Sequence, residues 1–256
     1  KGFTVRTGKT AIYVNQPELK FTAIALQNIL RDRMLVDIPL SSQSGSADIC
    51  LLVDPTINGK EHYRIEITSK GMTISGATAG AVYYGVMTVD QLLIGDICAT
   101  TQKELSPVYI DDTPRFAYRA LMLDPARHFL PVNDVKFFID QMAKYKYNTL
   151  QLHLTDDQGW RIEIKKHPKL VSKEYYTQKQ LADLICYAAQ RNIEIIPELD
   201  IPGHTVAILA TYPELGCTHV DTLPKVVGKT VDLMLCANNE KVYAVYQDII
   251  KEISAL

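Results

Sequence analysis

The sequence contains no Cys-x-x-Cys pair and no run of Lys or Arg longer than two residues. It also has no apolar stretch approaching the roughly 20 residues that span a bilayer. The first absence argues against a zinc ribbon or a thioredoxin-type redox centre. The second, with a formal net charge of −2, argues against a nucleic-acid or anionic-membrane surface, because both need clustered basic charge. The third leaves no expectation of membrane insertion. Residues 1–14 lack the long apolar core of a signal peptide, although a cleaved signal leaves no trace in the mature chain. The run GATAGAVYYG (76–85) has neither the Lys-Ser/Thr of a P-loop nor the G-x-G-x-x-G spacing, so it is not read as a phosphate cradle.

The 256 residues are 47% hydrophobic, enough to bury a sizeable core and too apolar for disorder. That length suits one large domain or two modest ones. The five cysteines are Cys50, Cys98, Cys186, Cys217 and Cys236. Cys186 sits in a helical pattern and is expected as a core thiol. Cys217 and Cys236 share one long loop, and either a bridge or two free thiols fits their spacing.

Residues 1–112 read as a small α+β domain. Short β-rich segments occur at Phe3–Arg6, Ala11–Val14, Ala47–Val53, Tyr63–Thr68 and Met72–Ser75. Helical spacing marks Pro17–Met34 and Thr78–Ile94. Asn58-Gly59 is the expected turn joining Ala47–Val53 to Tyr63–Thr68 as a hairpin. Asp111-Asp112-Thr113-Pro114 is the expected boundary, since proline removes a donor and holds the preceding residue extended.

From 115 to 256 the rhythm becomes strand, helix, strand, helix. Strands are expected at Ala120–Leu123, Thr149–Leu154 and Ile193–Leu199. Helical stripes run through Val135–Ala143, Leu181–Ala188 and Val242–Ile253. Asn133 or Asp134 is the expected cap of the first of these helices, Thr177 and Gln180 have capping-box spacing, and Asn239 is the expected cap of the last helix. Three βα units predict a parallel sheet or barrel, which builds sites at the carboxyl ends of its strands.

Each of the three strands ends in charged residues, in LDPARHF (123–129), LTDDQGWR (154–161) and PELDIPGHT (197–205). Asp156 and Asp157 repel each other side by side, so each needs its own donor or counter-charge. One of them aimed into a strand-end pocket is a candidate functional group, but taken alone the pair is read first as an ordinary helix cap or turn. His204 is a candidate to orient a carboxylate, or a loop imidazole satisfied by a backbone carbonyl. Arg127 can fork onto hydroxyls or a carboxylate, or simply pair with Asp124. Glu198 and Asp200 are expected to support the site from behind, as are Asp124 and Asp157. His128 and His153 are expected as packed core histidines. Trp160, the only tryptophan, is expected to pack rather than to stack on a sugar.

Taken together, these segments resemble the family 20 glycoside hydrolases, the β-N-acetylhexosaminidases. The matching text is YRALMLDPARHFLP (118–131), YKYNTLQLHLTDDQGWRIEIKKHPKL (145–170), YYTQKQLADLICYAAQRNIEIIPELDIPGHT (175–205), YPELGC (212–217) and LCANNE (235–240). Upstream, YRIEITSKGMTISGATAGAVYYGVMTVDQLL (63–93) is similar to the small zincin-like domain that precedes the family's barrel. The fold so implied is a small α+β domain followed by a (β/α)8 TIM barrel, here about its first three βα units.

The resemblance implies an exo-acting, retaining hydrolysis in which the substrate's own 2-acetamido oxygen attacks the anomeric carbon. The implied partners are glycans ending in N-acetylglucosamine or N-acetylgalactosamine, and no cofactor or metal is implied. Arg127 is similar to the family's clamp on the terminal sugar's hydroxyls. Asp156 and His204 resemble the relay that supports the general acid. The acid Glu and amide-orienting Asp are adjacent in the family, in a motif resembling His-x-Gly-Gly-Asp-Glu, and no Asp-Glu dipeptide occurs in residues 1–256. The chain is therefore expected to stop short of that pair, to need the remainder of the barrel as a partner and to be inactive alone. The family also implies a periplasmic or secreted setting, lysosomal-type in a eukaryote, which a Cys217–Cys236 bridge would fit. Two other readings stand beside this one. The first is a non-catalytic carbohydrate-binding module on the same scaffold. The second is a metal-dependent hydrolase using His153, Asp156, Glu198 and His204, weakened by the lack of an H-E-x-x-H motif.

Overall fold

The computed structural model of the protein describes residues 2–93, 104–218 and 233–256. It divides into two compact units: Lys1–Tyr118 with Ala143–Lys146 and Gln190–Asn192, and Arg119–Met142 with Tyr147–Ala189 and Ile193–Leu256.

The first unit contains β1 (Phe3–Thr4), β2 (Ile12–Val14), α1 (Lys20–Met34), β3 (Leu40–Ser41), β4 (Ile49–Val53), β5 (Tyr63–Thr68), β6 (Gly71–Gly76), α2 (Ala79–Leu92), β7 (Glu104–Leu105) and β8 (Val108–Asp112). Six of the strands form one sheet in the order β3-β2-β4-β6-β5-β8, while β1 and β7 pair separately. Period-2 alternation buries Tyr63, Ile65 and Ile67 of β5 with Met72 and Ile74 of β6. Helix α2 starts where the Thr78 hydroxyl accepts from the Ala81 N–H, and it packs on β4, β5 and β6. Gly76 and Gly85 of the 76–85 run serve this packing. A Cβ at Gly85 would lie 2.4 Å from Cγ2 of buried Ile74.

The expected hairpin between β4 and β5 does not form. β4 pairs with β6 in parallel, and β5 turns directly into β6 as its antiparallel partner. The two-residue link Ser69-Lys70 brings β6 back beside β5, whereas the longer 54–62 link lets the chain pass over a strand position. The Asn58-Gly59 signal is a real turn, with Gly59 at φ 97°, but it lies inside that link.

The second unit contains β9 (Ala120–Leu123), α3 (Val132–Lys144), β10 (Thr149–Asp156), β11 (Gly159–Trp160), α4 (Gln178–Ala189), β12 (Glu194–Leu199), α5 (Val206–Thr211) and α6 (Glu240–Ile253). Strands β9 and β12 flank β10 in parallel, and β11 folds back antiparallel on the end of β10. This is the opening portion of a TIM barrel. Two of the expected caps are formed, whereas α3 starts at Val132, so that Asn133 and Asp134 lie inside its first turn rather than capping it. Thr177 and Gln180 exchange backbone-to-side-chain bonds of 2.9 and 3.1 Å, and Asn239 accepts from the Lys241 N–H at 3.1 Å. The short β11 and α5 carry no periodicity long enough to read from sequence.

The two faces of β10 differ. Leu150, Leu152 and Leu154 are fully buried on one side, and the unit also buries Val135, Ile139 and Met142 of α3 and Leu181, Leu184 and Ala188 of α4. Gln151, His153 and Thr155 point the other way. In register with Gln151 stand Met122 and Ile196, which are 52% and 39% exposed. That face corresponds to a barrel interior, which side chains from all strands fill in layers.

Cys186 is exposed, contrary to the expectation of a core thiol. It lies two residues from both Leu184 and Ala188, hence on the opposite side of α4 from the buried stripe. His128 is likewise exposed. Cys217 and Cys236 are free thiols, with Cys217 Sγ 3.8 Å from Leu235 O across an antiparallel bridge between Gly216 and Leu235. Cys98, the expected helix end at Ile94 and most of the loop between Cys217 and Cys236 lie outside the described residues.

The Gly85 contact makes a stability prediction. Ala favours a helix interior by about 0.5–1 kcal/mol over Gly, but overpacking a β-branched core residue costs about 1–3 kcal/mol. Gly85→Ala is expected to destabilise the protein by about 1–2 kcal/mol in urea unfolding, and a stabilised variant would contradict the close approach.

Candidate active site

The carboxyl ends of β9, β10 and β12 bring their charged residues together around one carboxylate. Asp156 is 1% exposed, yet three cationic or potentially cationic groups surround it. Arg127 Nη2 lies 2.8 Å from Oδ2, His153 Nε2 lies 2.8 Å from the same oxygen, and His204 Nδ1 lies 3.2 Å from Oδ1. The Asp157 N–H also donates to Oδ1 at 2.6 Å. Removing a carboxylate from water costs several kcal/mol, and only such paired, hydrogen-bonded surroundings offset it.

Arg127 bridges two acids. Its Nη1 donates to Asp124 Oδ2 at 2.6 Å, and its backbone N–H donates to Asp124 Oδ1 at 3.0 Å. The Asp124 bond, together with the field of Asp156, raises the Arg127 pKa against the opposing effect of burial. Burial opposes the charge on Asp124, but the bonds from Arg127 outweigh it and hold that carboxyl below its usual range. The simple Asp124 pair anticipated for Arg127 therefore exists, but it is half of the arrangement. The Arg127 side chain remains 41% exposed, so the guanidinium is accessible from solvent.

The adjacent aspartates divide the two roles considered for them. Asp157 behaves as a cap: its Oδ1 accepts from the Val206 N–H, 3.1 Å away, at the start of α5. Asp156 joins the charged cluster. Asp200 is held by its backbone N–H, which donates to Thr155 Oγ1 at 2.9 Å. Glu198 accepts from His153 Nδ1 at 2.8 Å and from Gln151 Nε2.

His153 was expected to be a packed core histidine, and it is buried, but its position is central. Both ring nitrogens face carboxylate oxygens at 2.8 Å, Asp156 on one side and Glu198 on the other. Ionised carboxylates only accept, so this geometry asks both nitrogens to donate, as in imidazolium. Burial lowers the His153 pKa, but the bonds to Asp156 and Glu198 outweigh it and the net shift is upward. The signal available in sequence was the i, i+2 spacing of Gln151, His153 and Thr155 on one strand face.

His204 occupies the left-handed backbone region, with φ 54°. For a residue with a Cβ this costs of order 1 kcal/mol or more, and such strain clusters at functional sites. Among the described residues, two triads have ligand atoms within 4.8 Å of one another: His153, Glu198 and Asp200, and Asp156, Asp200 and His204. Both His153 nitrogens are engaged by carboxylates, leaving no lone pair for an ion while that imidazole is protonated.

Comparison with known proteins gives this chain its family. The model of the glycosyl hydrolase family 20 catalytic domain matches residues 116–256, and that of the same family's domain 2 matches residues 1–113. The chain belongs to glycosyl hydrolase family 20. It is 36% identical to a beta-hexosaminidase of Porphyromonas gingivalis, over 97% of this chain and 34% of that protein. A beta-hexosaminidase of Akkermansia muciniphila is 37% identical over 78% of this chain and 43% of its own length. Among solved structures, the Streptomyces plicatus N-acetyl-beta-hexosaminidase in complex with Thio-NAglucal superposes with a TM-score of 0.90 at 34% identity, covering 99% of this chain and 54% of that one. A mutant of that enzyme in complex with its product, GlcNAc, matches equally well in shape, with a TM-score of 0.90. The family 20 chain described here thus spans about a third to a half of these relatives.

The raised His153 pKa makes a signed prediction. Its stabilising contribution is complete below the unfolded-state imidazole pKa and is lost as pH rises through the higher folded-state value. In urea unfolding, the stability advantage of wild type over His153→Gln is expected to shrink with rising pH across that window. An advantage that is flat or grows with pH would contradict a protonated His153.

Proposed function

We propose that this chain is part of an exo-acting β-N-acetylhexosaminidase that removes terminal N-acetylhexosamine with retention, by substrate-assisted catalysis. The reading is carried by one observation: Arg127, Asp156 and His204, from the ends of separate strands, meet around a single buried carboxylate. In this reading the exposed guanidinium of Arg127 grips hydroxyls of the terminal sugar. Its planar fork suits paired oxygens, and its two acidic partners hold it in place. Asp156 steers His204, which in turn supports a proton donor supplied from the barrel beyond residue 256. The substrate's acetamido oxygen serves as nucleophile, so no enzyme nucleophile is required of this segment.

The GlcNAc bound as product by the Streptomyces plicatus relative supports N-acetylglucosamine as a ligand class here. Glycans ending in N-acetylglucosamine or N-acetylgalactosamine are the proposed substrates, and a periplasmic or secreted setting is the proposed location. Residues 1–256 alone, without adjacent Asp and Glu, are proposed to be inactive.

The test is an assay with a chromogenic N-acetylglucosaminide on residues 1–256 and on a protein extended through the complete barrel. The extended form is expected to hydrolyse the substrate and the shorter form is not. In the active form, Asp156→Asn and His204→Ala are expected to lower kcat by about 100-fold with KM held within a few-fold. A change confined to KM would contradict the support role. Sugar binding without hydrolysis by the extended form would favour a carbohydrate-binding module instead.

A further inference from the structure

Arg161 follows the short β11, and its guanidinium is buried. Among the described residues no carboxylate lies within ion-pair distance of it. Its donors go instead to backbone carbonyls. Nε lies 2.9 Å from Pro125 O and 3.3 Å from Ala126 O, Nη2 lies 3.0 Å from Ala126 O, and Nη1 lies 3.0 Å from Glu174 O. The guanidinium also sits over the Phe129 ring, 5.7 Å from its centroid. Burial lowers its pKa, yet an arginine stays charged at neutral pH. A buried cation satisfied only by carbonyl dipoles is a costly way to fill space, so what it holds is informative.

Two of those carbonyls belong to Pro125 and Ala126, the residues directly before Arg127. The same loop is tied at other points by Ala126 N–H to His153 O at 3.1 Å and by the Tyr176 hydroxyl to Leu130 O. The fork of Arg161 spans the loop where Arg127 leaves it, a geometry that the single ammonium of a lysine cannot reproduce. Gly159 makes room for it: a Cβ there would lie 2.5 Å from both Cζ and Nε of Arg161.

We infer that Arg161 is a positioning residue for the sugar clamp. It fixes the backbone from which Arg127 reaches Asp156 and the substrate, and it acts on binding only through Arg127. The inference rests on the reading of Arg127 as the group that grips the sugar's hydroxyls.

The test uses the protein extended through its complete barrel. KM and kcat are measured for Arg161→Gln, Arg161→Lys and Gly159→Ala, each in the wild-type and Arg127→Ala backgrounds. Gly159→Ala keeps the arginine but displaces its guanidinium, so it carries the test should Arg161→Gln fail to fold. In the wild-type background Arg161→Gln and Gly159→Ala are expected to raise KM about tenfold with kcat changed less than about twofold, and Arg161→Lys to fall between. In the Arg127→Ala background the same changes are expected to add less than about twofold. An equal KM increase in both backgrounds would mark Arg161 as a general structural strut and overturn the inference. So would an unchanged KM in the wild-type background, or a loss confined to kcat. If Arg127→Ala itself leaves KM unchanged, the sugar-clamp reading fails, and this inference with it.

Discussion

The charged end of the second unit depends on the burial of one carboxylate. Asp156 has almost no contact with water, and an isolated ion there would be untenable. Its oxygens are met instead by groups from three strand ends: Arg127 after β9, His153 within β10 and His204 after β12. A parallel sheet makes this convergence possible, because it brings the carboxyl ends of successive strands to one rim on rigid supports. The strained backbone of His204 and the hydrogen-bond partners of His153 are arranged around that requirement.

Among the described residues of this cluster, acids outnumber fixed cations. Arg127 pairs with Asp124 and Asp156 and lies in the field of Asp200, while His204 faces Asp156 and Asp157. A proton on His153 between Asp156 and Glu198 relieves part of that excess, and both of its ring nitrogens already point at acceptors. Glu198 is thereby joined to Asp156 through an imidazole, so the network extends across β10 and β12 rather than ending at one residue. Arg161 feels the field of Asp124 but forms no ion pair among the described residues and binds main-chain carbonyls instead.

Much of this was legible in the sequence because the relevant signals are local. Strand-end acids, helix stripes and the Thr177 and Asn239 caps each depend on residues a few positions apart. Charged strand ends stood out because each follows an apolar run, and the resemblance to family 20 glycoside hydrolases singled out Arg127, Asp156 and His204 among them. What was not legible depends on distant partners. His153 stands among leucines and reads as core, since Glu198 lies 45 residues further along and meets it only through the pairing of β10 with β12. The hairpin expected at Asn58-Gly59 failed for a similar reason. A turn signal says that the chain reverses, and the choice of strand partner belongs to the whole sheet. Nor does an isolated Arg161 announce that it binds carbonyls 35 and 36 residues earlier.

We propose that the Arg127–Asp156–His204 cluster forms one wall of an amino-sugar pocket. A crystal structure of the barrel-complete protein soaked with N-acetylglucosamine tests it most directly. The account predicts ring hydroxyls within hydrogen-bond distance of the Arg127 guanidinium, with Asp156 still bound by His153 and His204 behind it. A sugar bound away from Arg127, or an Asp156 released from its histidines in the complex, would contradict it.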